Sequence, residues 1–441
     1  MAMKTTEIIL PIVGLTSLIL SSTASCQLLE FKGTFGDTVA PFQIDVKPDF
    51  IKKTTLKASL TRFTDDLQQP DFADGPPRHN ATTIRDFWVN EFDWFQVQEN
   101  LNKKYKQFTT TVSAGDIFTH PIPLHFVHHR SPRPNAIPLL FLHGWPGSFL
   151  EVGEIIDGLT NPPNTSTPAF HVVAPSMPGF GFSPAPSVPG LGPIALADAY
   201  NDLMVNKLNY SKYCLQGGDL GGFLLHEQAG RHPESVLSAL SNFWVVQPNS
   251  TDLERFHAGL STPDEEFVIN KIMEFEHLGS GYRLIMQTKP LSLATGMTDS
   301  PVGLAIWIYS LMQEFVQFHV WTPLEIVTWT MMYWIQGPYS SFRYYKEHVT
   351  DHIFENGLAI NTSSFPYVHQ PVAISEFPAD LWYRTPMDWA QRSGNVVKRT
   401  VHDRGSHFAS IETPLVLMDD LRSFFGNETL SNTGAFNGGR L

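Results

Sequence analysis

Five short apolar runs, each giving way at once to a loop rich in glycine, proline or aspartate, constrain this chain more than any other feature. They read IPLLFLHGWPGS from Ile137, FHVVAPSMPGFGFS from Phe170, KYCLQGGDLGG from Lys212, LSALSNFWVV from Leu237 and GNVVKRTVHDRGSHF from Gly394. Runs this short and this apolar, bounded by turn residues, read as strands buried on both faces. Helical patterns fall between them, notably Ile194 to Leu208 and Leu220 to His232. Strand–helix alternation with wholly apolar strands implies a mostly parallel sheet covered on both sides. Such sheets bind ligands beyond the carboxyl ends of their strands, so chemistry is expected in those loops.

The alternation stops between about Gln247 and Pro366, where aromatic-rich helical segments take over. This reads as a cap inserted between two halves of a core, over 136–246 and 367–441, with the cap at 247–366. Residues 26–135 are polar with scattered aromatics. There, FWVNEFDWF from Phe87 to Phe95 repeats its aromatics at the spacing of one helical face, as for a helix packed on the core. The stretch from Val302 to Ile335 is apolar enough to suggest a membrane span. Gln313, Glu314, Glu325 and its prolines argue for buried cap helices instead.

The front end reads as a targeting segment over residues 1–25: Lys4, an apolar stretch from Ile8 to Leu20, then small residues up to Ser25 before Cys26. A cleaved signal peptide and a secreted protein are expected, with a retained anchor in the endoplasmic reticulum membrane as the competing reading. Sequons at Asn80, Asn164, Asn209, Asn249, Asn361 and Asn427 agree with a secretory route. With a formal net charge of −13 and no clustered Lys and Arg, nucleic acid and anionic substrates are disfavoured. Aromatics at 12%, with 32 phenylalanines, suit a pocket for an apolar small molecule. Self-association into a homo-oligomer stays open.

The most informative loop is Gly217-Gly218-Asp219-Leu220-Gly221-Gly222, between an apolar strand and a helix. Glycines on both sides let the backbone turn sharply and let the helix pack close to the strand. This is the steric logic of a nucleophile elbow, with Asp219 where serine is common. No G-x-S-x-G occurs elsewhere in the chain, which excludes a serine elbow. GLGPIA from Gly190 follows a proline-rich loop rather than a strand, so it is not a dinucleotide fingerprint. The loop His143-Gly144-Trp145-Pro146-Gly147-Ser148 follows the first strand. It can aim backbone N–H groups at the elbow, so that Trp145 and Leu220 would form an oxyanion hole, with His143 and Pro146 against the substrate. His407, beyond the last strand, falls where the base of an elbow-type triad belongs. Its acid partner is open among Asp380, Asp388 and Asp403. HFVHHR at His125 to Arg130 alternates as on a strand and lacks further ligands for a metal.

These motifs, with TDSPVGLAIWI from Thr298, FRYYKE from Phe342, FPAD from Phe377 and GSHFASIE from Gly405, resemble the microsomal-type epoxide hydrolases, the group that includes juvenile hormone and fungal enzymes. The resemblance spans nearly all of the chain beyond the targeting segment. It implies an α/β-hydrolase core with an inserted helical cap and an N-terminal region wrapping the core. It further implies Asp380 as the acid and two cap tyrosines, Tyr282 and Tyr345, as proton donors, with Tyr344 adjacent to the second. The residue types suit that chemistry. A carboxylate is ionised at ordinary pH and can attack an oxirane carbon, and a tyrosine, with a reference pKa of about 10, can donate to the departing oxygen. His407 would then activate water against the ester on Asp219. No metal or cofactor is required. A haloalkane dehalogenase would share the aspartate, but it stabilises halide rather than alkoxide, which the two tyrosines do not suit. A catalytically inactive binding protein would not need every one of these positions filled.

Overall fold

The computed structural model describes residues 29–355 and 360–436, so the targeting segment and Cys26 lie outside the described residues. Among them, one sheet is built from β1 (Ala40–Phe42), β2 (Gln107–Ala114), β3 (Phe118–His129), β4 (Ile137–Leu142), β5 (Phe170–Pro175), β6 (Tyr213–Gly217), β7 (Val236–Ser241), β8 (Val368–Glu376) and β9 (Gly394–Val401). Their order is β1-β2-β3-β5-β4-β6-β7-β8-β9. From β5 to β9 every neighbouring pair is parallel, and β1, β2 and β3 add an antiparallel edge. Every residue of β4 and β6 is buried, which is why those runs show no polar alternation. The fold is that of the α/β-hydrolases.

Two expectations change. FWVNEFDWF is not one helix: Arg78–Asn90 ends and Trp94–Lys104 begins anew, with the Asp93 carboxylate accepting from Phe95 N–H at 2.9 Å and Gln96 N–H at 3.2 Å. Asp93 therefore acts as an N-cap in mid-pattern, and Trp88 and Trp94 both end up buried. The helical pattern from Ile194 likewise runs as an α-helix only over Pro193–Asp202 and continues as a π-turn over Leu203–Lys207. The histidines of the HFVHHR run are each absorbed into packing. His125 bonds Ser176 Oγ and Gln107 Oε1, His128 bonds Tyr210 Oη, and His129 accepts from Lys106 N–H.

Between β7 and β8 the chain is helical, from Ser250–His257 to Tyr339–Thr350. Proline at the first turn starts the helices Pro263–Glu274, Pro290–Asp299, Pro301–Glu314 and Pro323–Trp334. The apolar stretch from Val302 falls within two of these, broken at Phe315 to Thr322, and no helix of the described residues is long and apolar enough to cross a membrane. The N-terminal region does more than extend the sheet. Its helix Pro48–Ser59 packs beneath the cap, where Trp334 Nε1 donates to Thr54 Oγ1 at 2.7 Å. Each large aromatic buried this way contributes roughly 1.5–3 kcal/mol.

Candidate active site

Asp219 stands at the sharp junction of β6 and the helix Leu220–Arg231, with φ 51° and ψ −128°. A non-glycine residue in this region is strained, and the surrounding packing must hold it there. The glycines make that packing feasible: a Cβ on Gly221 would stand 2.2 Å from the carbonyl oxygen of Leu142. Across from the elbow, a Cβ on Gly144 would stand 2.1 Å from Asp219 Oδ1, so only glycine lets the loop after β4 approach the carboxylate. In that approach Trp145 N–H donates to Asp219 Oδ1 at 2.7 Å. Leu220 opens the helix, where backbone N–H groups have no intrahelical carbonyl to bond.

His407 closes the other side. Its Nε2 lies 3.5 Å from Asp219 Oδ2, and its Nδ1 lies 3.1 Å from Asp380 Oδ1. Of the three carboxylates left open by the residues alone, Asp380 is the one in contact. Asp388 and Asp403 are exposed. Asp380 Oδ1 also accepts from Leu381 N–H at 2.7 Å, which fixes the carboxylate plane. Burial alone would push the imidazole of His407 down. The carboxylates of Asp380 and Asp219 outweigh that and hold it well above its usual range.

The cap brings its tyrosines over this pair. Tyr282, on the helix Gly281–Thr288, stacks on Trp145 with ring centroids 5.6 Å apart, and Tyr345 meets the same indole edge-on at 6.0 Å. The two tyrosine rings are 6.0 Å from each other. Burial, joined by the nearby charge of Asp219, drives both phenols above their ordinary range, so they stay protonated donors. Tyr344 points elsewhere, packing on Phe180 and His348. An apolar cleft walled by Phe243, Phe275, Leu311, Phe315 and Leu381 opens onto Asp219, His407 and Tyr282.

Pro146 lines the cleft, following a cis Trp145–Pro146 peptide bond. His143 does not reach it. Expected against the substrate, it instead donates from Nδ1 to Gly144 O at 3.0 Å and accepts from Met177 N–H at 3.2 Å through Nε2. Both ring nitrogens are occupied by backbone, and burial pushes the imidazole down to about 4, so it braces the loop as a neutral group. Residue reasoning also missed Trp329 and Tyr333. From the cap they donate to the carbonyls of Pro146 and Gly147, clamping the loop from above. No local pattern in the sequence distinguishes these two from ordinary core aromatics.

A family model described as the epoxide hydrolase N terminus matches residues 39–152, and one for the alpha/beta hydrolase fold matches residues 137–242. Juvenile hormone epoxide hydrolase 2 of Ctenocephalides felis is 31% identical over 413 residues, covering 88% of this chain and 85% of its own. Epoxide hydrolase 1 of Sus scrofa is 31% identical over 425 residues, covering 88% of this chain and 89% of its own. The solved structure of Aspergillus niger epoxide hydrolase superposes with a TM-score of 0.76 at 26% identity, over 91% of this chain and 99% of that one. The juvenile hormone epoxide hydrolase of Bombyx mori shares the fold with a TM-score of 0.78 at 24% identity, over 91% of this chain and 95% of that one.

Proposed function

The chain belongs to the epoxide hydrolase family, and on that premise we propose that it converts lipophilic epoxides to vicinal diols through an ester on Asp219. The observation that carries this reading is the single carboxylate that meets a backbone donor, a histidine and an apolar cleft at once. Because Oδ1 already accepts from Trp145, Oδ2 is the oxygen free to attack an oxirane carbon. As the C–O bond of the ring breaks, Tyr282 and Tyr345 hydrogen-bond the departing oxygen and protonate it.

Ester formation then readies the base. It removes the Asp219 charge, so part of the attraction holding His407 protonated disappears, and the imidazole proton passes to the phenolate that ring opening leaves, restoring the tyrosine. Neutral His407, oriented by Asp380, takes a proton from water, and the hydroxide adds to Cγ of the ester. Negative charge on Oδ1 falls on the N–H groups of Trp145 and Leu220. Collapse breaks the Cγ–Oδ2 bond, Oδ2 leaves with the diol, the alkoxide recovers a proton from the imidazolium, and the proton left on the re-formed Asp219 carboxyl passes to His407, restoring the starting ion pair. Styrene oxide is a suitable probe. Purified protein is expected to form the diol, with Asp219→Ala reducing turnover by roughly 10⁴-fold or more. Conversion by the Asp219→Ala variant at the native rate would refute the assignment.

Secretion is part of the same proposal. Exposure of Asn164, Asn209, Asn249 and Asn427 supports glycosylation on a secretory route. Protein recovered from the medium is expected to begin near Cys26 or Gln27 on N-terminal sequencing. An intact Met1 segment in a membrane fraction would favour the anchor.

A further inference from the structure

Asp219, His407 and Trp145 border two spaces. One is the apolar cleft, and the other is a small polar space of about 10 Å³, about what one water needs. Glu151 lines the second space and is the one titratable side chain there that ring opening leaves idle. Its carboxyl folds back over the loop: a Cβ on Gly147 would stand 1.8 Å from Glu151 Oε1, so glycine leaves the room that this placement of the side chain uses. Ser148 fixes the turn that aims it, accepting from Leu150 N–H at 3.2 Å at the start of the 3-10 helix Phe149–Glu154.

We propose that Glu151 is the positioning residue for the hydrolytic water, accepting one of its hydrogens while His407 Nε2 takes the other. The role rests on the ester route and concerns only its second half. Water must present its oxygen to Cγ of the Asp219 ester, and two fixed acceptors orient it better than one. The proton that His407 removes returns to the alkoxide when the Cγ–Oδ2 bond breaks, so Glu151 itself neither gains nor loses a proton. Burial is the main reason its carboxyl is pushed up to about 8. The Asp219 charge adds to that rise and a protonated His407 opposes it. An uncharged acid accepts through its carbonyl oxygen without setting a second negative charge beside the tetrahedral oxyanion.

The test separates ester formation from ester decay in single turnovers of styrene oxide, with enzyme in excess and rapid quenching before intact-protein mass measurement. Glu151→Leu is expected to slow decay by about tenfold or more while formation stays within about twofold. Glu151→Gln, which keeps a carbonyl oxygen in place, is expected to restore decay to within about threefold of the native rate. If Glu151→Leu does not fold, Glu151→Asp takes its place, since withdrawing the carboxyl by one methylene should slow decay alone. Native decay in the Leu or Asp variant, or equal slowing of both steps, overturns the role of Glu151 and leaves the ester route standing. Absence of any covalent species in the native enzyme overturns both.

Discussion

With His407 changed to Gln, the enzyme is expected to take up one substrate mass at Asp219 and stop. Ring opening needs the Asp219 carboxylate and the tyrosine donors, none of which is lost. Ester hydrolysis needs a base 3.5 Å from the reacting carboxyl, and His407 is the group placed there. General-base catalysis of this kind is worth about 10²–10⁴-fold. Decay of the ester should therefore slow by that factor while its formation changes far less, and the adduct should persist long enough to be weighed. Glutamine can still bond Asp380, so the loop keeps its anchor. A variant that forms no adduct, or releases diol at the native rate, contradicts the assignment of His407 as the base.

The second large effect concerns the cap. Tyr282 and Tyr345 both contact Trp145, and their rings lie 6.0 Å apart, close enough to serve one oxygen together. Each Tyr→Phe change alone is expected to slow ester formation by about tenfold, because the partner still donates. Both together should cost about 10³–10⁴-fold, more than the product of the single effects. Ester decay, once an adduct exists, should be nearly unaffected. Tyr344→Phe is the control: its ring packs on Phe180 and His348 rather than on Trp145 and Tyr282. If Tyr344→Phe crippled ring opening and Tyr345→Phe left it intact, the second donor would be the neighbouring residue.

The core and its three catalytic loops were readable in the residues because steric demands are written there as glycine. Gly144 and Gly221 each sit where a Cβ would collide with a neighbour, and such positions announce themselves in sequence. β8 did not. Pro371 interrupts it, and its register with β9 shifts between Val368 and Val372, so it lacks the clean apolar run of its neighbours. The choice among Asp380, Asp388 and Asp403 was equally invisible, since all three lie within a few dozen residues of His407 and only a contact of 3.1 Å separates them. His143 shows the converse. A histidine beside a catalytic loop looks like a ligand contact, but its two nitrogens complete backbone hydrogen bonds. Glu151 gave no signal, because a lone glutamate just inside a helical turn is ordinary and its meaning comes from the space it borders.

The claim that Asp219 donates an oxygen atom, rather than merely activating water, is open to a single direct measurement. In the ester route, Oδ2 of Asp219 leaves with the diol and the oxygen of water replaces it on the carboxylate. One turnover in oxygen-18 water, with enzyme in excess over styrene oxide, should therefore yield mostly unlabelled diol and leave the label on Asp219. Later turnovers of the same enzyme should pass that label into product. Diol that carries the label fully in the first turnover, from an enzyme whose Asp219 stays unlabelled, would contradict the ester route.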